Sequence, residues 1–138
     1  MRHPTISVEA IERALLDACR RTHAEILAFT VAPRLLSAAQ PWDGYDVLIE
    51  FADPPRAPDR FAGALDEALC RFDARYRTGR LIDGSIAPPH VVEVPAGTFH
   101  RWRRGTGRTV PRVSGTREVA DDVLAVATVG RVPLIALG

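Results

Sequence analysis

The chain contains no lysine, and all 18 of its basic residues are arginine. Asparagine is absent as well, and Gln40 is the single glutamine. The missing lysine excludes a phosphate-binding loop of the Gly-Lys-Ser/Thr type and any lysine Schiff base. Usage rich in Ala, Arg, Pro and Gly points to a GC-rich genome as the origin of the bias. No apolar run approaches the roughly 18 residues of a membrane span. No apolar stretch follows Arg2 and His3, so no secretory signal is expected. Cysteine is scarce too: Cys19 and Cys70 lie far apart on apolar helix positions. Two buried thiols in a reducing cytoplasm are the expectation.

What is present describes one folded domain over residues 1–138. Hydrophobic residues make up 46% and charged residues 25%, which argues against wholesale disorder. The net charge of +1 argues against a general nucleic-acid or membrane coat. Its distribution is uneven. Residues 1–93 hold 11 arginines against 14 acids, whereas residues 94–117 hold six arginines and no acid. Such a block meets phosphate, nucleic acid or an acidic partner surface, or it pairs with acidic helices of its own domain.

Residues 7–22 read as a helix, with Ser7 as N-cap and Ile11, Leu15 and Ala18 on one face. Residues 25–32 are β-prone and Pro33 is expected to close them. The stretch from Arg34 to Gly44, with Pro41, Trp42 and Asp43, has the chemistry of a loop. YDVLIEF at 45–51 alternates, with Asp46, Leu48 and Glu50 opposite Tyr45, Val47 and Ile49, as in a half-buried strand. Pro58 opens a helix whose apolar stripe runs through Phe61, Leu65, Leu69, Phe72 and Tyr76 to about Arg77. His90–Val94 reads as a short strand, Thr98 as the cap of a short helix, and residues 105–115 as an irregular excursion. Arg117–Ala127 predicts a further helix, and the apolar 132–137 a strand or a contact surface. The order implies an α/β fold: an α+β sandwich with a small mixed sheet of three to four strands packed by about three helices.

Generic catalytic motifs are missing. The four histidines share no metal-ligand spacing, so no metal site is assigned. Ser85, Ser114, His100 and Asp73 lack the nucleophile elbow of a hydrolase. Asp46 and Glu50 share a strand face and read as a solvated pair rather than as paired catalytic carboxylates.

The ordered features from residue 61 to residue 113 resemble one family. A helix carries Leu65 and Leu69, then Asp73, Tyr76 and Arg80 follow at D-x-x-Y-x-x-x-R spacing. Next come Val94-Pro95, Gly97-Thr98-Phe99, Trp102 and Pro111-Arg112. This set resembles the C-terminal domain of the auxin-responsive (Gretchen Hagen) acyl acid–amido synthetases, members of the adenylate-forming ligases. The resemblance covers residues 5–125 and leaves 126–138 as an extra apolar tail. It implies a small domain that rotates against a larger, ATP-binding, adenylating N-terminal domain. This chain alone then binds no cofactor, and ATP and AMP belong to the partner.

One departure stands out. The family pattern ends Gln-x-Lys-x-Pro-Arg, and here Gly107 and Thr109 occupy the Gln and Lys positions before Pro111-Arg112. A hydroxyl does not replace a cation opposite phosphoryl charge, and losing such a contact costs about 10²–10³ in rate. The resemblance therefore nominates Arg108, Thr109 and Arg112 as catalytic, with Tyr76, Arg80, Gly97, Thr98 and Arg104 at the substrate or domain junction. The leading expectation is a cytoplasmic stand-alone small domain of a split amido synthetase, working with an adenylating partner and without nucleic acid or membrane. The alternatives are a non-catalytic binding module or homodimer that kept the fold, and a small enzyme with new chemistry.

Overall fold

The computed structural model describes residues 6–34 and 44–137, with side chains as far as Thr128. The expected loop at 35–43 and the first five residues lie outside the described residues.

The alternating YDVLIEF forms β2 (Gly44–Asp53), the middle strand of a sheet ordered β1-β2-β3 among the described residues. β1 (Glu25–Arg34) runs antiparallel to it and β3 (His90–Glu93) parallel. Helices cover both faces of the sheet. α1 (Val8–Thr22) and α2 (Pro58–Phe72) bury Ile11, Leu15, Leu65 and Leu69 against Tyr45, Val47 and Ile49. On the other face, α4 (Thr98–Thr106) and α5 (Glu118–Leu137) bring Phe99, Trp102, Val119 and Val123 onto Leu48. The result is the expected α+β fold with a small mixed sheet, built as helix, sheet and helix layers.

β2 is therefore not half-buried. Residues Gly44 to Glu50 are all buried, because α4 and α5 cover the face expected to meet water. Pro33 does not close β1 either; it pairs with Tyr45 inside the strand. A proline is tolerated there because β1 is an edge strand and needs no outward donor at that position.

The long helix expected from 58 to 77 is interrupted. Asp73 ends α2 in an extended conformation and caps α3 (Ala74–Arg77), its Oδ1 accepting the Tyr76 N–H at 3.0 Å. Its other oxygen accepts the Ser7 N–H at 3.4 Å, so the same carboxylate meets the start of α1. A π-helical turn, Thr78–Ile82, follows α3. Gly79 sits inside it against Ile86, where a Cβ would collide with the isoleucine side chain. α5 starts near the expected residue but continues as helix to Leu137, through the 132–137 stretch expected as a strand or contact surface. Among the described residues no helix is long and apolar enough to cross a membrane.

Candidate functional site

The arginine-rich block divides into two parts. Arg117 turns inward: its Nη1 donates to Asp46 Oδ2 and to the Pro33 carbonyl, both at 2.7 Å. Arg112 lies 3.6 Å from Glu12 Oε2. Among the described residues, Arg101, Arg103, Arg104 and Arg108 meet no carboxylate, and all four are exposed. Arg108 instead stacks over Trp102, 5.8 Å from the ring centroid. The excess charge is thus concentrated on α4 and the residues just after it.

α4 is held at its start by a buried acid. Gly97 has φ 87°, a left-handed conformation that suits glycine, and it occupies the N-cap position expected for Thr98. The Gly97 N–H donates to Glu50 Oε2 at 2.9 Å and the Phe99 N–H to Glu50 Oε1 at 3.1 Å. Glu50 is 2% exposed, so this carboxylate fills the anion site that a helix N-terminus otherwise offers. Thr98 is fully buried and its hydroxyl donates to the Pro95 carbonyl at 2.6 Å. Gly97 and Thr98, expected at a ligand or domain junction, spend their polar groups inside the domain.

The same is true of Tyr76 and Arg80. The Tyr76 hydroxyl donates to Asp66 Oδ1 at 2.7 Å, and Arg80 grips Asp66 through Nε at 2.9 Å and Nη2 at 2.7 Å. Burial opposes the charge on Asp66, but the bonds from Arg80 and Tyr76 outweigh it and hold the carboxyl below the usual range. Burial, reinforced by Asp66, pushes the Tyr76 hydroxyl well above its ordinary value. The D-x-x-Y-x-x-x-R spacing thus joins a helix cap, a buried hydroxyl and a forked ion pair. These residues shape the turn between α2 and β3 and leave no polar group of Tyr76 facing solvent.

Asp46 anchors the second internal cluster. Besides Arg117 it meets His90 Nδ1 at 2.8 Å and Arg34 Nε at 3.6 Å. The solvated Asp46–Glu50 pair expected from the alternation does not exist: each carboxylate is buried and serves different donors. The cysteines are half-buried rather than fully buried, and burial pushes both thiols up.

Residues after α4 are fixed at both ends. Gly107 closes the helix through its N–H to the Arg103 carbonyl at 2.8 Å. Four and five residues later, the Pro111 carbonyl accepts the Thr30 hydroxyl at 2.6 Å and the Arg112 carbonyl accepts the Val31 N–H at 2.8 Å. Thr109, Val110 and Arg112 thereby line a groove of about 710 Å³. Its other walls are α1 and the start of β1, with Phe99 and Arg103 from α4. Of the nominated residues, the groove gathers Thr109 and Arg112; Arg108 immediately precedes Thr109 outside the lining, and Arg104 stays on the exposed surface of α4.

Residues 9–110 match the GH3 family C-terminal domain. The chain belongs to that family. Two solved structures share the fold of this GH3 domain. One, described as GH3.15 acyl acid amido synthetase, is 20% identical with a TM-score of 0.62. Another, described as AtGH3.15 acyl acid amido synthetase in complex with 2,4-DB, is 20% identical with a TM-score of 0.60. Each similarity covers 86% of this chain but 22% of the solved one, so the GH3 domain here spans about a fifth of those proteins. No curated protein matches the chain by sequence.

Three carboxylates that anchor this GH3 domain internally were not singled out by the sequence: Glu50, Asp66 and Asp46. Glu50 and Asp46 were read as solvent-facing. Asp66 carried a signal that went unused, since it lies ten residues before Tyr76 and fourteen before Arg80 on the helix already recognised.

Proposed function

We propose that this chain acts as the mobile small domain of an adenylate-forming amido synthetase, supplied in trans to an adenylating N-terminal partner. The observation that carries this reading is the segment 107–112, pinned at Gly107 and at Pro111-Arg112 and presenting Thr109 and Arg112 beside a groove. Family membership supports the domain assignment, and the fold similarity is consistent with it. ATP belongs to the partner in this reading. The amides at the start of α4 are already taken by Glu50, so the contribution of this region to phosphate or carboxylate charge comes from arginine side chains. Arg108 and Arg112 lie on either side of Thr109 in sequence and are the cations available where the family pattern has lysine; Arg104 adds an exposed arginine on α4. An arginine fork differs from an ammonium in geometry, so the substitution alters which anion orientations are served. Two unpaired cysteines fit a cytoplasmic setting.

The purified chain alone should show no ATP–pyrophosphate exchange, and adding it to an adenylating partner should restore amide formation. A partner that forms amide at the same rate without this chain refutes the reading. The hydroxyl at Thr109 favours a second reading, in which the fold is kept as a non-catalytic binding or dimerisation module. Sedimentation across a concentration series separates the two: a tight homodimer that sequesters the groove and leaves partner activity unchanged supports the second.

A further inference from the structure

Along the outer edge of β1, Arg117 Nη1 meets the Pro33 carbonyl at 2.7 Å, and the one backbone-to-backbone closure among the described residues is at Val31. There the Val31 N–H donates to the Arg112 carbonyl at 2.8 Å, and the Ser114 N–H donates to the Val31 carbonyl at 2.9 Å. The contact is a single parallel bridge between Val31 and Val113. Alternate residues of an antiparallel strand turn their backbone groups to the same side. Pairing with β2 is regular from Ala28 onward, so Phe29 presents its N–H and C=O to that same outer edge, where no described residue meets them. The groove opens at this point, between α1 from one helix layer and α4 from the other. Its lip carries Leu16 and Leu27, each 66% exposed.

Native edge strands are usually blunted by charge, proline, a bulge or a cover. In β1 the proline and the cover lie toward the C-terminal end, at Pro33 and Val31, and a register shift between Ile26 and Ala28 marks a bulge at the other. The stretch between them is apolar and, among the described residues, uncovered. Charge gives the groove a preference: Arg112 has Glu12 and Arg20 has Asp17, but Arg103 meets no acid among the described residues. Glu25, exposed at the start of β1, disfavours an acid there. A second copy of the chain does not fit by edge pairing. A twofold axis at Phe29 would set Leu27 of one copy against the Val31 edge of the other, which residues 112–114 already occupy.

We propose that the β1 edge from Leu27 to Phe29 takes a short extended segment of a partner protein as an added strand. The segment is apolar at alternate positions and carries a carboxylate toward Arg103. Backbone hydrogen bonds at Phe29 give the register, and Leu16, Leu27 and Phe99 receive the apolar side chains. This inference does not rest on the ligase reading, since any partner with such a segment satisfies it.

Selection of random octapeptides on the full chain tests it. The enriched sequences should alternate apolar residues and include Asp or Glu. The selected peptide should slow exchange of the Phe29 amide, and N-methylation of its alternate amides should weaken binding at least tenfold. Arg103→Gln should weaken it about fivefold. Leu27→Asp should abolish it with an unchanged melting temperature, since Leu27 is exposed. Failure to enrich any binder, protection away from Leu27–Phe29, or tolerance of N-methylation overturns the proposal. So does saturation of the groove by decanoate with no peptide selected, which would mark a small-amphiphile pocket instead.

Discussion

Replacing Glu50 by alanine tests how the two halves of the domain are joined. Glu50 belongs to the central strand, yet both oxygens serve amides at the start of α4, at 2.9 and 3.1 Å. Hydrogen bonds to a charged group contribute about 1.5–3 kcal/mol each net, and the carboxylate also meets the positive end of the helix. Removing it leaves two donors without a partner in a site that is 2% exposed. The relief of burying one charge offsets part of that loss, so Glu50→Ala is expected to cost about 3–5 kcal/mol. At this chain length that corresponds to a drop in Tm of about 10–20 °C. Glu50→Gln keeps one acceptor and sets an amide NH₂ against the other donor, so it should cost about 1–2 kcal/mol. Urea unfolding followed by tryptophan fluorescence reads both, because Trp102 lies on α4 in the core. Amide exchange at Phe99 should accelerate in parallel. An alanine variant within about 0.5 kcal/mol of the parent would refute the claim that Glu50 holds α4 in place.

Three further outcomes are expected. Asp66→Asn should cost about 2–4 kcal/mol at pH 7 by breaking the fork to Arg80 and the bond from Tyr76. Because the folded carboxyl is held below its unfolded value of about 3.9, its stabilisation is complete above that pH and fades as pH falls through the folded value. The gap between parent and variant in acid titrations of stability should therefore close below about pH 4, and a constant gap would refute the linkage. Arg117→Met should cost about 2–3 kcal/mol in thermal or urea unfolding, discounted because His90 and Arg34 stay beside Asp46. Thr109→Lys should raise partner-dependent amide formation at least tenfold if Thr109 stands at the family's lysine position, and an unchanged rate would remove it from that role.

Local signals were legible where the deciding partner is near in sequence. Ser7 was expected to cap α1, and its hydroxyl accepts the Ala10 N–H at 3.3 Å. Pro58 begins α2 as anticipated. The burial of β2 was not legible, because the donors that make Asp46 and Glu50 tolerable inside arrive from more than forty residues away. The break at Asp73 was hidden for a different reason: Phe72 and Tyr76 continue the apolar spacing across it, so only the capping bond to Tyr76 reveals the stop. The arginine block looked uniform in sequence, yet folding sends Arg117 inward and leaves four of its neighbours outside. Of the family's ordered residues, Asp73, Tyr76 and Arg80 hold the turn after α2, while Gly97 and Thr98 hold the start of α4, the helix that leads into the 107–112 segment.

The family match ends at Val110, but the second core does not. Val119, Ala120, Val123 and Ala127 of α5 cover Leu48 and Trp102, and Arg117 ties the approach to α5 onto both β1 and β2. A protein cut after Val110 would keep the whole matched stretch and lose α5, leaving α4 alone on the second face of the sheet. It would expose much of the central strand's second face and leave Asp46 without its closest cation. Recombinant boundaries drawn at the edge of the shared pattern should therefore yield insoluble material, whereas those extended past Ala127 should not. In this protein the stretch that evolution makes recognisable is shorter than the stretch that folds.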